Sequence, residues 1–342
     1  MKEKFKKAIG YILSAAFAIV LLWFSFRDVD WKDFIDGIKS CRWEFIALSM
    51  AAGSFAFLLR GLRWRRLLLP IDDSITRITT FNGINIGNIS NFVFPRIGEF
   101  VRCGVITRRS AWVDQSQITG ADGMASRKAS YEKVLGTVVL ERSWELLVML
   151  LLLVVVVVGG FNRFGSFVLD QILQPFADRF EFSVWWLISA ILLTLAGSLG
   201  LLWKLRESNK FCGKIWQVIK GILQGFSSCM RMEHKWLFFA YTALIWAMYW
   251  FMAASTVWAA PFLEDLDLID ALFLSLVGGL GFAIPVPGGI GAFHFVISLA
   301  LSTVYGVPVE LGVVYATLSH TSQAITQIFF GVGSYIYESL KK

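Results

Sequence analysis

The stretch FNGINIGNISNFVFPRIGEFVR, residues 81–102, decides how the chain is read. It is apolar enough for a membrane, yet Pro95 breaks it, and Asn82, Asn85, Asn88 and Asn91 recur at every third position. Amides at that spacing wind slowly around a helix as a curved polar stripe. Unpaired amides are unfavourable in hydrocarbon. They therefore either bond across helices or line a wet cavity for a head group, and both readings stand. Arg96, Glu99 and Arg102 follow the break at i, i+3 and i+6, along one side of a helix that starts at the proline. Arginine forks match phosphate geometry. Glu99 is expected to hold both arginines or to exchange a proton; the plainer alternative is a structural salt bridge at the inner interface.

The rest of the chain supplies the membrane. Of 342 residues, 56% are hydrophobic and 17% charged, against about 25% charged in soluble domains. That excludes a disordered chain, a fibrous one and an ordinary soluble enzyme. Cys41, Cys103, Cys212 and Cys229 form no CxxC pair, so neither a disulfide scaffold nor a thiolate metal site is expected. Ala8–Phe26, Ser183–Trp203, Trp236–Trp258 and Leu311–Tyr337 are long apolar runs without acidic, lysine or arginine residues, and each can cross a bilayer, which takes about 20 residues. Val134–Gly160 also qualifies but carries Glu141, Arg142 and Glu145. Glu44–Leu69 is apolar to Leu59 and then meets Arg60, Arg63, Arg65 and Arg66, which are expected to snorkel to the interface. The first run follows Lys2, Lys4, Lys6 and Lys7 and lacks a clear cleavage site, so it reads as an uncleaved anchor.

Two apolar regions are interrupted by proline, Thr76–Val105 and Leu268–Tyr305. Both read as re-entrant hairpins, which survive at membrane depth only where protein or water satisfies the loose backbone. With the N-terminus inside, the inner segments hold 25 Lys and Arg against 10 Asp and Glu, and the outer segments 6 against 13. This asymmetry sets the orientation, with both termini cytoplasmic, and accounts for the net charge of +7 without a nucleic-acid partner.

The order span, span, hairpin, span then occurs twice, the second time with opposite topology. The expected fold is an all-α polytopic membrane protein of six full spans plus two re-entrant broken-helix hairpins. It forms one integral membrane domain over residues 1–342, an inverted repeat with halves near 1–160 and 183–342. A shift of 192 aligns Phe81, Gly87 and Pro95 with Phe273, Gly279 and Pro287. Between the spans, Lys210–Phe226 is amphipathic and reads equally as an interfacial helix or a packed connector.

The second hairpin, LVGGLGFAIPVPGGIGAFHF at 276–295, places Pro287, Gly288 and Gly289 in a turn whose N–H groups and following helix start favour an anion. Close packing is the alternative use of such glycines. His294 follows the turn, and His320 shares a face of the last span with Thr317, Gln323 and Gln327. In the fifth span, Arg142 and Glu145 can pair at i, i+3. Glu141 and Glu145 stand at i, i+4, so one of them is expected to hold a proton. No HExxH, GxSxG or DDxxD occurs; no catalytic residue, metal or cofactor is expected.

Three motifs, PRIGEFVRCGVITRR from Pro95, VVLERSWELL from Val138 and PVPGGIGAFHF from Pro285, occur in order. With them the chain resembles the flippase-like membrane region shared with lysylphosphatidylglycerol synthases. The resemblance covers almost the whole chain. It implies a bacterial-type inner membrane and movement of lipid between leaflets. In the full synthases a soluble C-terminal domain transfers an aminoacyl group from tRNA; this sequence ends at Lys342 just after a span, so that activity is not expected. Relatives often carry an acidic residue just after the Gly-Gly turn, where this chain has His294. The expected function is translocation of a phosphate-bearing lipid, a phospholipid or a lipid-linked carrier. The alternatives are an intramembrane lipid-modifying enzyme and a non-catalytic membrane subunit. The expected partner is the membrane lipid, and a homo-oligomer is compatible with the reading.

Overall fold

The computed structural model describes residues 2–27, 29–117, 129–160, 184–205 and 235–341, with isolated positions between 163 and 216. Every regular element among them is helical. In chain order these are α1 (Lys2–Phe26), α2 (Trp31–Ser40), α3 (Trp43–Leu68), α4 (Arg77–Val93), α5 (Gly98–Gln117) and α6 (Tyr131–Gly159). Then come α7 (Val184–Leu205), α8 (Lys235–Ala259), α9 (Leu268–Ala283), α10 (Ala292–Tyr305) and α11 (Val309–Leu340). Short 3-10 turns cover Pro261–Leu263 and Pro287–Gly289.

Among the described residues four segments are long and apolar enough to cross a membrane: Trp43–Leu68, Tyr131–Gly159, Lys235–Ala259 and the stretch Pro287–Tyr305, in which the 3-10 turn precedes α10. The protein is thus an all-helical, multi-pass membrane protein. Three of the four coincide with spans read from the sequence. The fourth is one leg of the second proline-broken region: positive φ at Gly288, Gly289 and Gly291 sets the 3-10 turn apart from α10, and only the two together reach membrane-spanning length. Most of the Lys210–Phe226 segment lies outside the described residues. Helix α2 falls in what read as an outer loop. Asp30 caps it by accepting from the backbone N–H of Lys32 and Asp33, and Phe34 and Gly37 form its buried face.

The chain forms two compact units, residues 1–141 with 236–342, and residues 142–235. In the first, α11 is the axis, packed by α1, α2, α3, α4 and α10. Its buried face is rich in small residues, among them Gly312, Ala316, Ser322, Gly331 and Ser334, which let neighbouring backbones approach closely. Helices α4 and α11 run antiparallel: Asn82 bonds Glu338 near one end, and Gly331 faces Ile89 further along.

Each proline break has a local cause. The residue before a proline is pushed to extended backbone, and Phe94 and Ile284 are both extended. Each ends its helix. After the first break Arg96 adopts φ 62°, an uncommon left-handed conformation for a residue with a Cβ. The Asn91 Oδ1 then accepts from the Gly98 N–H at 2.7 Å and starts α5. A Cβ on Gly98 would collide with the Gly87 carbonyl, so α4 and α5 cross in close contact. In the second break Gly288, Gly289 and Gly291 take φ of 59°, 76° and 81°, which glycine adopts without steric strain. Helix α1 closes this turn: Ser14 Oγ donates to the Pro285 carbonyl at 2.8 Å, and Ala18 packs with Val286 and Ala292.

Candidate functional site

Two constellations gather the polar groups of the first unit. The first is a buried charge cluster between α3, α5 and α6. Glu141 accepts from Arg63 Nη2 on Oε1 at 3.3 Å and from Arg102 Nη1 on Oε2 at 2.6 Å. Arg63 and Glu141 have no solvent exposure and Arg102 only 2%. The guanidinium of Arg102 lies 4.6 Å from the Trp64 ring centroid, and that of Arg63 lies 5.9 Å from Phe238. Trp64 Nε1 donates to Thr137 Oγ1 at 3.0 Å, so the ring is itself held in place. An ion pair shielded from water survives when each partner is matched by hydrogen bonds and by polarisable rings.

Arg63 and Trp64 are functional candidates that the sequence reading missed. The four arginines at the end of α3 were expected to snorkel, yet Arg60 is 7% and Arg63 0% exposed. The reason is the spacing: positions 60 and 63 both point inward, and Glu141 supplies the opposite charge to Arg63. Arg65 instead donates to the Ile75 carbonyl at 2.7 Å. The i, i+3 spacing of Arg60 and Arg63 was the available signal. Within the second unit, Arg142 donates to Glu145 at 2.8 Å, while Glu141 turns to Arg63 and Arg102.

The second constellation is the meeting of the two breaks. Arg96, Glu99 and Arg102 do not share one side of a helix, because α5 starts at Gly98 and Arg96 precedes it in a left-handed turn. Arg96 is exposed and its Nη2 donates to the Ala283 carbonyl at the end of α9, at 2.5 Å. Phe92 sits against Gly288, where an added Cβ would come within 2.5 Å of the ring. The first hairpin thus reaches the second at two points. Glu99 is half-buried at the start of α5, and its carbonyl accepts from Cys103 Sγ.

The asparagine stripe divides its work. Asn82 Nδ2 donates to Glu338 at 2.7 Å, and Glu338 also pairs with Arg109 at 3.1 Å. Asn85 Nδ2 donates back to the Phe81 carbonyl, and Asn91 caps α5. Asn85 Oδ1 and Asn88 Nδ2 are buried without a hydrogen-bond partner among the described residues. Two of the four amides therefore hold helices together, and two keep buried polar atoms available. The Gly289 and Ile290 N–H groups of the second turn donate within the turn itself, which removes them from the anion-binding set expected there. The Gly288 carbonyl meets His320 Nε2 at 2.9 Å, and the His294 and His320 ring centroids are 5.0 Å apart. Gln323 packs against Gly53.

The family model described as the lysylphosphatidylglycerol synthase TM region matches residues 11–331. Neither curated proteins nor solved structures yield a match. The match runs through both broken hairpins and all three residues of the buried charge cluster. The chain belongs to the lysylphosphatidylglycerol synthase transmembrane-region family.

Proposed function

We propose that the protein moves a phosphate-bearing lipid, a phospholipid or a lipid-linked carrier, between the leaflets of a bacterial-type inner membrane. The observation that carries this reading is the contact between the two proline breaks, Arg96 to the Ala283 carbonyl and Phe92 to Gly288. Broken segments that meet inside a helical membrane protein supply loose backbone and polar groups where a substrate head group can be handled. Arg96 spends one donor on Ala283 and remains exposed, which leaves the rest of its fork to bind phosphate. The family match supports a lipid-related membrane role.

In this proposal six spans and two re-entrant hairpins form an inverted repeat, with both termini cytoplasmic as the charge asymmetry directs. The α4–α5 hairpin receives the head group from the inner side and the α9–α10 hairpin from the outer side. One half rocks against the other, and the chemistry of the lipid is unchanged.

Reconstitution tests it. Liposomes carrying fluorescent phospholipid should show leaflet transfer with the purified protein. Arg96→Ala should slow that transfer by about tenfold, as expected for losing one charge-assisted hydrogen bond of about 1.5 kcal/mol. Mass spectrometry of the same lipid should find it unmodified. A modified lipid would favour the enzyme reading, and neither transfer nor modification, with a partner that co-purifies, would favour the subunit reading.

A further inference from the structure

Two histidines from different helices face each other behind the second turn. His294 lies in the first turn of α10 and His320 in the body of α11, and they are 6% and 7% exposed. A carbonyl oxygen only accepts, so the 2.9 Å contact of His320 Nε2 with Gly288 places the hydrogen on Nε2. In the neutral ring Nδ1 then carries the bare lone pair. The His294 Nδ1 is buried and has no hydrogen-bond partner among the described residues. Aromatic rings fill the surroundings: Phe282 stacks on His320 at 5.9 Å, Phe293 approaches His320 at 5.7 Å, and Phe26 approaches His294 at 6.1 Å.

Among the described residues no carboxylate accompanies them. From Leu13 to Phe26, α1 carries no ionisable side chain, and the Pro287–Gly289 turn likewise has none. Helix α10 adds only Tyr305, which donates to Asp270 at the start of α9. On α11 the acidic groups Glu310 and Glu338 stand near the two ends, and the Tyr315 hydroxyl donates to the Ala253 carbonyl. Helix α4 carries Arg77 at its first position, and Arg96 borders the pair through Ala283, next to Phe282. Helices α2 and α3 contribute Lys32, Asp33, Asp36, Lys39 and Glu44 toward one end and the arginines 60, 63, 65 and 66 toward the other.

A proton on this pair would create a cation in an aromatic enclosure, beside a second imidazole and with no counter-charge. Burying an unpaired charge is strongly unfavourable, and two cations at this spacing repel. The packed state therefore excludes the proton. A state in which the turn has moved off His320, letting water reach the rings, admits it. By linkage, the state that binds more protons gains population as pH falls. Imidazole in water titrates in the range of about pH 5 to 8, so an opened pair responds under ordinary conditions.

We propose that His294 and His320 form a proton-binding site whose occupancy releases the Pro285–Gly291 turn from α11. Release of this turn also withdraws Gly288 from Phe92, so the proton acts on the contact between the two hairpins. The proposal rests on the translocation reading for its purpose, not for its chemistry. In that context the proton is the coupling species that opens the outer hairpin.

The test is backbone hydrogen exchange of the full-length protein in lipid nanodiscs at about pH 5 and about pH 7.5, either side of the imidazole range, corrected for the intrinsic rate at each pH. The expected result is several-fold faster exchange across 284–295 at the lower pH. The difference should vanish in the double variant that combines His294→Gln with His320→Gln. There an amide replaces each titrating ring, and the amide at position 320 can still donate to Gly288. Equal protection of the wild-type segment at the two pH values overturns the proposal without any variant being needed. Retention of the pH response in the double variant also overturns it. A pH response that depends on the histidines, in a protein that moves no lipid in the liposome assay, upholds the proton site and sinks the translocation reading instead.

Discussion

At the scale of the residue, Glu141 is where arginines from α3 and α5 converge. Both guanidiniums are out of water, so the carboxylate is their nearest compensation for lost hydration. Removing one member of a buried ion network is strongly destabilising, by about 3–5 kcal/mol, because charge is left behind without its partner. Glu141→Ala should therefore lower the thermal unfolding midpoint in detergent far more than Glu141→Asp, which keeps the charge. An unchanged midpoint in Glu141→Ala would mean that the cluster is not what joins these helices. Aromatic packing reinforces the junction: Trp64 lies under Arg102 and is fixed by Thr137 on the same helix as Glu141.

At the scale of the element, the first hairpin depends on how closely its legs cross. Gly98 faces the Gly87 carbonyl with no room for a methyl group. Gly98→Ala should force the legs apart at about 1–3 kcal/mol, typical of overpacking. Gly104, with nothing within 4 Å of an added Cβ, is the matched control on the same helix. Gly104→Ala should be neutral or stabilising, since alanine is the better helix former. Equal thermal midpoints for the two variants would show that the tight crossing does not hold the hairpin. Both breaks were legible because the backbone restriction imposed by proline is local. The start of α5 was not, because it depends on Asn91 reaching seven residues forward to cap Gly98.

At the scale of the whole molecule, α11 gathers the parts of the first unit. Its Glu338 binds Asn82 on α4 and Arg109 on α5, while its His320 holds the second turn. The pair Arg109 and Glu338 is only partly exposed, 16% and 14%. A double-mutant cycle of Arg109→Ala and Glu338→Ala should give non-additive stability with a coupling of about 0.5–3 kcal/mol, read from thermal or denaturant unfolding. Additive losses would show that the two side chains do not act as one contact. Within the transmembrane-region family to which the chain belongs, this places one end of the first hairpin and the second turn on a single helix.

The sequence by itself determined that the protein is helical and membrane-embedded, where its apolar runs lie and where two of them break. Those properties follow from composition over about 20 residues and from proline, and both act within a single segment. Only the tertiary structure decided which charges and imidazoles meet. Arg63 and Glu141 are 78 positions apart, and His294 and His320 come from separate helices. Helical periodicity states which face a residue occupies, but not which helix will cover that face. The α3 arginines illustrate this: their charge was visible, while the full burial of Arg63 required α6 to arrive with Glu141.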